Sequence, residues 1–159
     1  MVLIRPASEQ DVPALRALGI RTWRATYEGL LPDALVAGGI DEFWNDYSLG
    51  AAARSGRLLV AFKDGVPAGL AEFDRVDDAR TAIWKLYVAP EAQGRGIGVL
   101  LLERVLATAG TPEVRVEHDA RNAAAAAFFD KHGFAVDAVE DTGGGARTVR
   151  RVRRLHPSP

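Results

Sequence analysis

Between Val88 and Gly98 the chain reads Val-Ala-Pro-Glu-Ala-Gln-Gly-Arg-Gly-Ile-Gly. This segment joins the most β-prone run of the sequence, Thr81 to Val88, to its most apolar helical run, Ile97 to Ala109. A strand, a glycine-rich turn and a helix in that order make a phosphate-binding layout. Glycines let the backbone come close to a ligand and take up conformations that other residues resist. Successive N–H groups of the turn then point at one spot, at the positive end of the helix. Each hydrogen bond adds about 0.5–1.5 kcal/mol, more to an ionised acceptor, so four or five hold a pyrophosphate. Arg95 adds a charge at the rim. A Walker loop is excluded because Ile97-Gly98-Val99, not Lys-Ser/Thr, follows the second glycine. A dinucleotide fingerprint is excluded because Val99 takes the last glycine position and the turn comes late in the chain.

The rest of the sequence arranges itself around this turn. Val2 to Ile4 reads as a first strand, and Ser8-Glu9-Gln10-Asp11 as a helix start. Val12, Leu15, Leu18, Trp23, Tyr27 and Leu30 mark one face of that helix, which Pro32 ends or follows with another. A second helical stretch runs from about Asp41 to Ala53 and carries Phe43, Trp44 and Tyr47, which read as core packing. Leu58–Phe62 and Val66–Phe73 flank Asp64-Gly65 and predict a hairpin. Asp74 to Arg80 is a loop. Val114 and Val116 begin a fifth strand, and Asn122 caps an alanine-rich helix that ends at Gly133. Phe134–Val139 and Arg147–Leu155 form two last strands around Gly143-Gly144-Gly145. The expected order β-α-α-β-β-β-α-β-α-β-β belongs to a mixed sheet with helices packed on it. Val149, Val152 and Leu155, spaced by three, predict a bulge or a frayed end in the last strand.

Composition removes other classes. The 159 residues suit one domain, expected over 1–155 with a tail from His156 to Pro159. No cysteine is present, which excludes disulfides, zinc ribbons and a thiol nucleophile, and no metal site is assigned. Twenty basic residues against 21 acidic ones argue against nucleic-acid or membrane partners held by bulk charge. The N-terminal residues lack the layout of a signal peptide and no apolar run is long enough to span a bilayer, so a cytoplasmic protein is expected.

A second segment, Asn122 to Phe134, completes the picture. Taken with the turn, it resembles the GCN5-related N-acetyltransferase (GNAT) superfamily, whose members move an acetyl group from acetyl-CoA to an amine. Gln93, Gly96 and Gly98 match the family's Gln-x-x-Gly-x-Gly signature, and Leu86-Tyr87-Val88-Ala89-Pro90 matches the strand before it. Asn122, Ala125, Phe128, Gly133 and Phe134 match the second motif, and Thr22 to Pro32 looks like the first helix and turn of one branch. The resemblance implies a GNAT-like α/β fold, a central mixed β-sheet of six to seven strands flanked by about four helices. It implies acetyl-CoA as cosubstrate, held by Leu86, Tyr87, Val88, Gln93, Gly94, Arg95, Gly96, Ile97, Gly98 and Val99, with Asn122, Ala125 and Phe129 along the pantetheine arm. Trp23, Tyr27 and Glu28 would line the acceptor pocket. The acceptor, a primary amine of a small molecule or protein, is not identified, and a homodimer is compatible with the family.

Two positions depart from the family pattern. The tyrosine that protonates the leaving thiolate is Phe129 here, and the glutamate base of the central strand is Ala82. A non-catalytic acyl-CoA-binding protein on the same fold is therefore the alternative. The remaining candidates for the base are His118, a residue type able to deprotonate an ammonium group, and Glu72 on the third strand. Glu117 should face away from His118. His132 reads as a helix C-terminal residue, and the arginines from Arg147 to Arg154 as solvated charges on an exposed strand.

Overall fold

The computed structural model describes residues 1–155; His156 and the expected tail lie outside the described residues. The elements are β1 (Val2–Pro6), α1 (Val12–Tyr27), α2 (Asp33–Phe43), α3 (Asp46–Arg54), β2 (Leu58–Lys63), β3 (Val66–Arg75) and β4 (Arg80–Val88). They continue with α4 (Ile97–Ala109), β5 (Glu113–Asp119), α5 (Ala123–Lys131), β6 (Ala135–Gly143) and β7 (Ala146–Arg154). The strands form one seven-stranded mixed sheet in the order β1-β2-β3-β4-β5-β7-β6, with β4 and β5 parallel. This is the α/β architecture that the sequence pattern predicts. No helix among the described residues is long and apolar enough to cross a membrane. The residues gather into two compact units: Met1–Glu72 with Lys85–Val105, and Phe73–Trp84 with the described chain from Leu106 onward.

In the first unit, the β2–β3 hairpin closes at Lys63↔Val66. Asp64 and Gly65 take φ of 50° and 81°, as a two-residue turn with right-handed strand twist demands. Leu15, Leu49, Leu58, Leu70, Leu101 and Leu102 are buried at its centre. Two glycines let aromatic rings in. A Cβ on Gly19 would overlap the Trp44 ring, and one on Gly39 would overlap Trp23. Trp23 is held further by its indole N–H, which donates to Val36 O at 3.1 Å.

The expected helix over 41–53 is two helices, and Asn45 is the reason. Its side-chain amide donates to the carbonyls of Asp41 and Glu42, both at 3.0 Å, and closes α2. Its Oδ1 accepts the Ser48 N–H at 2.8 Å and opens α3. The break corrects the expectation for the aromatics. Trp44 is fully buried, but Phe43 and Tyr47 stand exposed on different helices.

At the start of α1, Asp11 accepts two bonds from Arg5, at 2.7 and 3.0 Å, and one from the Ser8 N–H at 2.8 Å. The Arg5 guanidinium, with help from Ser8, holds its carboxyl down at about 2. A carboxylate with a lowered folded value stabilises the fold above its ordinary range and stops doing so as pH falls through the lowered one. Asp11→Asn should therefore cost about 1–2 kcal/mol at pH 7, after allowance for solvent screening. Denaturant unfolding of the two proteins should converge between about pH 4 and pH 2.

In the second unit, β5 pairs with β7 from Glu113↔Arg154 to Asp119↔Thr148 without a break. The register shifts lie in β6, at Val136/Ala138 and Asp141/Gly143, not in the last strand where residue spacing placed one. The arginine run is likewise not one solvated row. Arg147 is exposed beside Asp141, but Arg151 is buried, with its Nη1 donating to Phe134 O at 3.0 Å. Arg153 donates to the carbonyl of His132, the residue that closes α5.

Candidate functional site

The paired register of β5 with β4 runs from Arg80↔Glu113 to Ile83↔Val116. Among the described residues it goes no further, so residues 84–88 keep an edge whose main-chain groups β5 does not take up. The end of β4 is nonetheless fixed. Ala89 N–H donates to Ala68 O at 2.8 Å, and the Gln93 side-chain amide donates to Val88 O at 3.1 Å. Gln93 thus ties the turn back onto its own strand, a supporting task beyond the ligand contact expected of it.

Past Gln93 the backbone turns at Gly94 (φ 77°) and Gly96 (φ 80°). A Cβ at either position would meet no heavy atom within 4 Å, so conformation and not crowding demands glycine there. The first bond of α4 is Leu100 N–H to Gly96 O at 3.1 Å. The N–H groups of residues 94–99 have no main-chain acceptor among the described residues. They sit where the helix adds a positive field, which suits a diphosphate. The nearby carboxylate of Glu91 is bound by Arg21 at 2.7 and 2.8 Å, and that guanidinium holds its pKa below the usual carboxylate value. Arg95 is exposed at the rim.

Leu86, Tyr87 and Val88 are half-buried. The Tyr87 ring meets Trp44 edge-on at 5.1 Å and lies 6.5 Å from Trp23; Trp23 packs on Tyr27 at 4.5 Å and on Phe43 at 5.7 Å. Burial, with Tyr27 nearby, pushes the Tyr87 phenol far up, so it stays protonated. Trp23 and Tyr27, expected to line an acceptor pocket, are buried and back the wall; Phe43 is the member with exposed surface. Glu28 is exposed beside Arg24.

Glu72, a candidate base from the sequence, is paired in the structure with Lys85 of β4. Lys85 Nζ donates to Glu72 Oε1 at 2.8 Å, with 6% and 11% of the side chains exposed, and lies 5.5 Å from the Trp44 ring centroid. Lys85 had no local signal, since its partner comes from the neighbouring strand.

In the second unit, His118 is buried with both ring nitrogens engaged. Nε2 accepts from Arg151 Nε at 3.0 Å, which leaves the proton on Nδ1 to be donated to Asp119 O at 2.8 Å. Glu117 is exposed, on the opposite face as strand alternation requires. Asn122 caps α5 through Oδ1 and the Ala125 N–H at 3.0 Å, Ala125 is half-buried, and Phe129 is buried against Phe134 at 5.4 Å.

Known proteins resemble this chain in sequence and in fold. The family model described as "Acetyltransferase (GNAT) family" matches residues 22–134. The chain is 30% identical over 141 residues to a probable N-acetyltransferase of Mycobacterium tuberculosis, covering 86% of this chain and 81% of that protein. It is 28% identical over 150 residues to a spermidine N(1)-acetyltransferase of Thermoplasma acidophilum, covering 89% and 91%. Among solved structures, an N-acetyltransferase from Thermoplasma acidophilum in complex with coenzyme A superposes with a TM-score of 0.82 at 24% identity, covering 98% and 99%. An acetyltransferase from Salmonella typhimurium with acetyl-CoA gives 0.74 at 21% identity, covering 100% and 98%.

Proposed function

Because this chain belongs to the GNAT acetyltransferase family, we propose that it acetylates the primary amine of a small molecule, using residues 84–99 to hold acetyl-CoA. The acetyl-CoA-dependent N-acetyltransferase activity is that of the family. The observation that carries the reading of the site is the row of unclaimed N–H groups at 94–99, continuous with the open edge of β4. The turn takes the diphosphate, and the edge at Leu86 to Val88 takes the amide-bearing arm as an added strand would. The likeness to a spermidine acetyltransferase supports a small amine as acceptor.

The chemistry divides among few groups. The Leu86 N–H stabilises the charge that grows on the acetyl oxygen. Glu72 takes the proton of the acceptor ammonium on the oxygen that Lys85 does not hold. The amine nitrogen then bonds to the acetyl carbon as the carbon–sulfur bond breaks, and the thiolate is protonated from water, since Phe129 has no proton to give. We assign His118 a structural role, because the lone pair that would accept a proton faces Arg151.

Purified protein with acetyl-CoA and a panel of primary amines should release free thiol and yield acetylated amine by mass spectrometry. Absence of turnover with every amine would overturn the reading. His118→Ala should leave kcat within about threefold and lower stability by about 1–3 kcal/mol, because Arg151 loses a buried acceptor. A variant with normal stability and no activity would instead make His118 the base.

A further inference from the structure

Of the 20 basic residues in the chain, three are lysines: Lys63, Lys85 and Lys131. Guanidinium groups do not lose a proton in proteins, so these three carry the side-chain amines. Lys131 is exposed at the end of α5, and Lys63 is half-buried beside the β2–β3 turn. Lys85 is buried, on β4, immediately before Leu86. An arginine would hold a buried carboxylate through two bonds and stay charged. What lysine has instead is a nitrogen that can give up a proton and become a nucleophile. In a chain so rich in arginine, the choice of lysine at this one sealed position points to that chemistry.

The surroundings of Lys85 are those of an acceptor. Its Nζ donates to Glu72 Oε1 at 2.8 Å, in a site where water reaches neither side chain freely. In the acetyl-transfer reading, the other oxygen of Glu72 meets the incoming ammonium group, and the Leu86 N–H holds the acetyl oxygen. The two oxygens of one carboxylate are close neighbours. A nitrogen bonded to Oε1 therefore stands beside the place of a nitrogen that meets Oε2. Glu72 is the single hydrogen-bond partner of Nζ among the described residues, so the end of the side chain can swing once its proton has passed. The Trp44 ring, 5.5 Å from Nζ and edge-on to Tyr87 at 5.1 Å, walls this space with apolar surface. In such a dry site, exchange of an ion pair for a neutral pair costs less than it does in water.

We propose that Lys85 is an internal acceptor: with acetyl-CoA bound and no amine present, the protein acetylates Lys85 Nζ and switches itself off. Glu72 takes one proton from Nζ along their hydrogen bond. The nitrogen bonds to the acetyl carbon as the carbon–sulfur bond breaks. Its second proton passes through water to the leaving sulfur, so coenzyme A departs as the thiol. Lys85 ends as a neutral amide and Glu72 as a neutral acid, which leaves no buried charge without a partner. Glu72 is then spent as a base, and the acetyl group fills space that an amine needs. The proposal rests on the acetyl-transfer reading and adds regulation of the same site, by the balance of acetyl donor and amine.

Protein incubated with radiolabelled acetyl-CoA and no amine should take up one acetyl group per chain, and peptide mapping by mass spectrometry should place it on Lys85. Lys63 and Lys131 are internal controls, because direct chemical acetylation favours the more exposed amines. Uptake should be first order and independent of protein concentration, since donor and amine meet within one molecule. Acetyl phosphate, which has no pantetheine arm, should label Lys131 and leave Lys85 unmodified. Glu72→Gln should slow labelling of Lys85 about 100-fold, and Lys85→Arg should take up no label there. After removal of acetyl-CoA, turnover of the amine panel should fall in proportion to the acetylated fraction. Label confined to other amines, or full activity in protein acetylated at Lys85, would overturn the proposal. Acetylation of the amine panel with Lys85 never labelled would overturn it and leave acetyl transfer standing. Neither labelling nor turnover would overturn both.

Discussion

Glu72→Ala should unfold the protein more easily by about 3–5 kcal/mol, since it strands a buried ammonium group that had a carboxylate at 2.8 Å. Trp44, with its ring 5.5 Å away, offers Lys85 a partial substitute that does not replace an ion. The double replacement Glu72→Leu with Lys85→Met should recover most of the loss, because both desolvated charges leave together. Glu72→Gln keeps an oxygen for Lys85 and isolates the chemistry. Its kcat should fall about 100-fold with KM for acetyl-CoA unaltered, the scale of losing a positioned base. Denaturant unfolding and steady-state kinetics on the three variants separate the two tasks. Normal kcat in Glu72→Gln would remove the base from this residue, and normal stability in Glu72→Ala would mean that the ion pair contributes nothing.

Gly96→Val should raise KM for acetyl-CoA about 100-fold while melting changes little. The turn needs φ near 80° at this residue, and a β-branched side chain resists that by about 1–2 kcal/mol. The cost falls on an exposed loop with open space around the new side chain, so the core does not feel it. Relaxation of the turn instead re-aims two or more N–H donors, each about 1.5–3 kcal/mol when its acceptor is charged. Titration calorimetry with coenzyme A should show the same loss as the kinetics. A variant that binds coenzyme A normally would mean that the diphosphate is held elsewhere.

What the sequence made legible is local in origin. The glycine turn, the strand before it and the capped helix after Asn122 each depend on residues a few positions apart, and each forms where the pattern places it. The Asp-Gly hairpin is of the same kind. What stayed hidden depends on distant partners. Glu72 and Lys85 meet across two strands, and His118 and Arg151 are 33 residues apart, so no period or motif pairs them. Arg151 sits among four other arginines that do not share its burial, and nothing nearby in sequence tells it apart. The division at Asn45 was in principle readable, because Asn before Asp-Tyr-Ser is a good helix start. The aromatic run Phe43-Trp44 masked it by extending the helical pattern across the junction.

Asn45 also bears on how much of this region can vary. One side chain both ends α2 and starts α3, and Pro32 bounds the other side. The eleven residues between are therefore a cassette with fixed hinges. Their outward side chains can be exchanged at little cost to the fold, provided that Val36 and Gly39 keep their contacts with Trp23. Selection, or a designer, can rewrite the outer face of one short helix while the elements on either side of it are inherited intact.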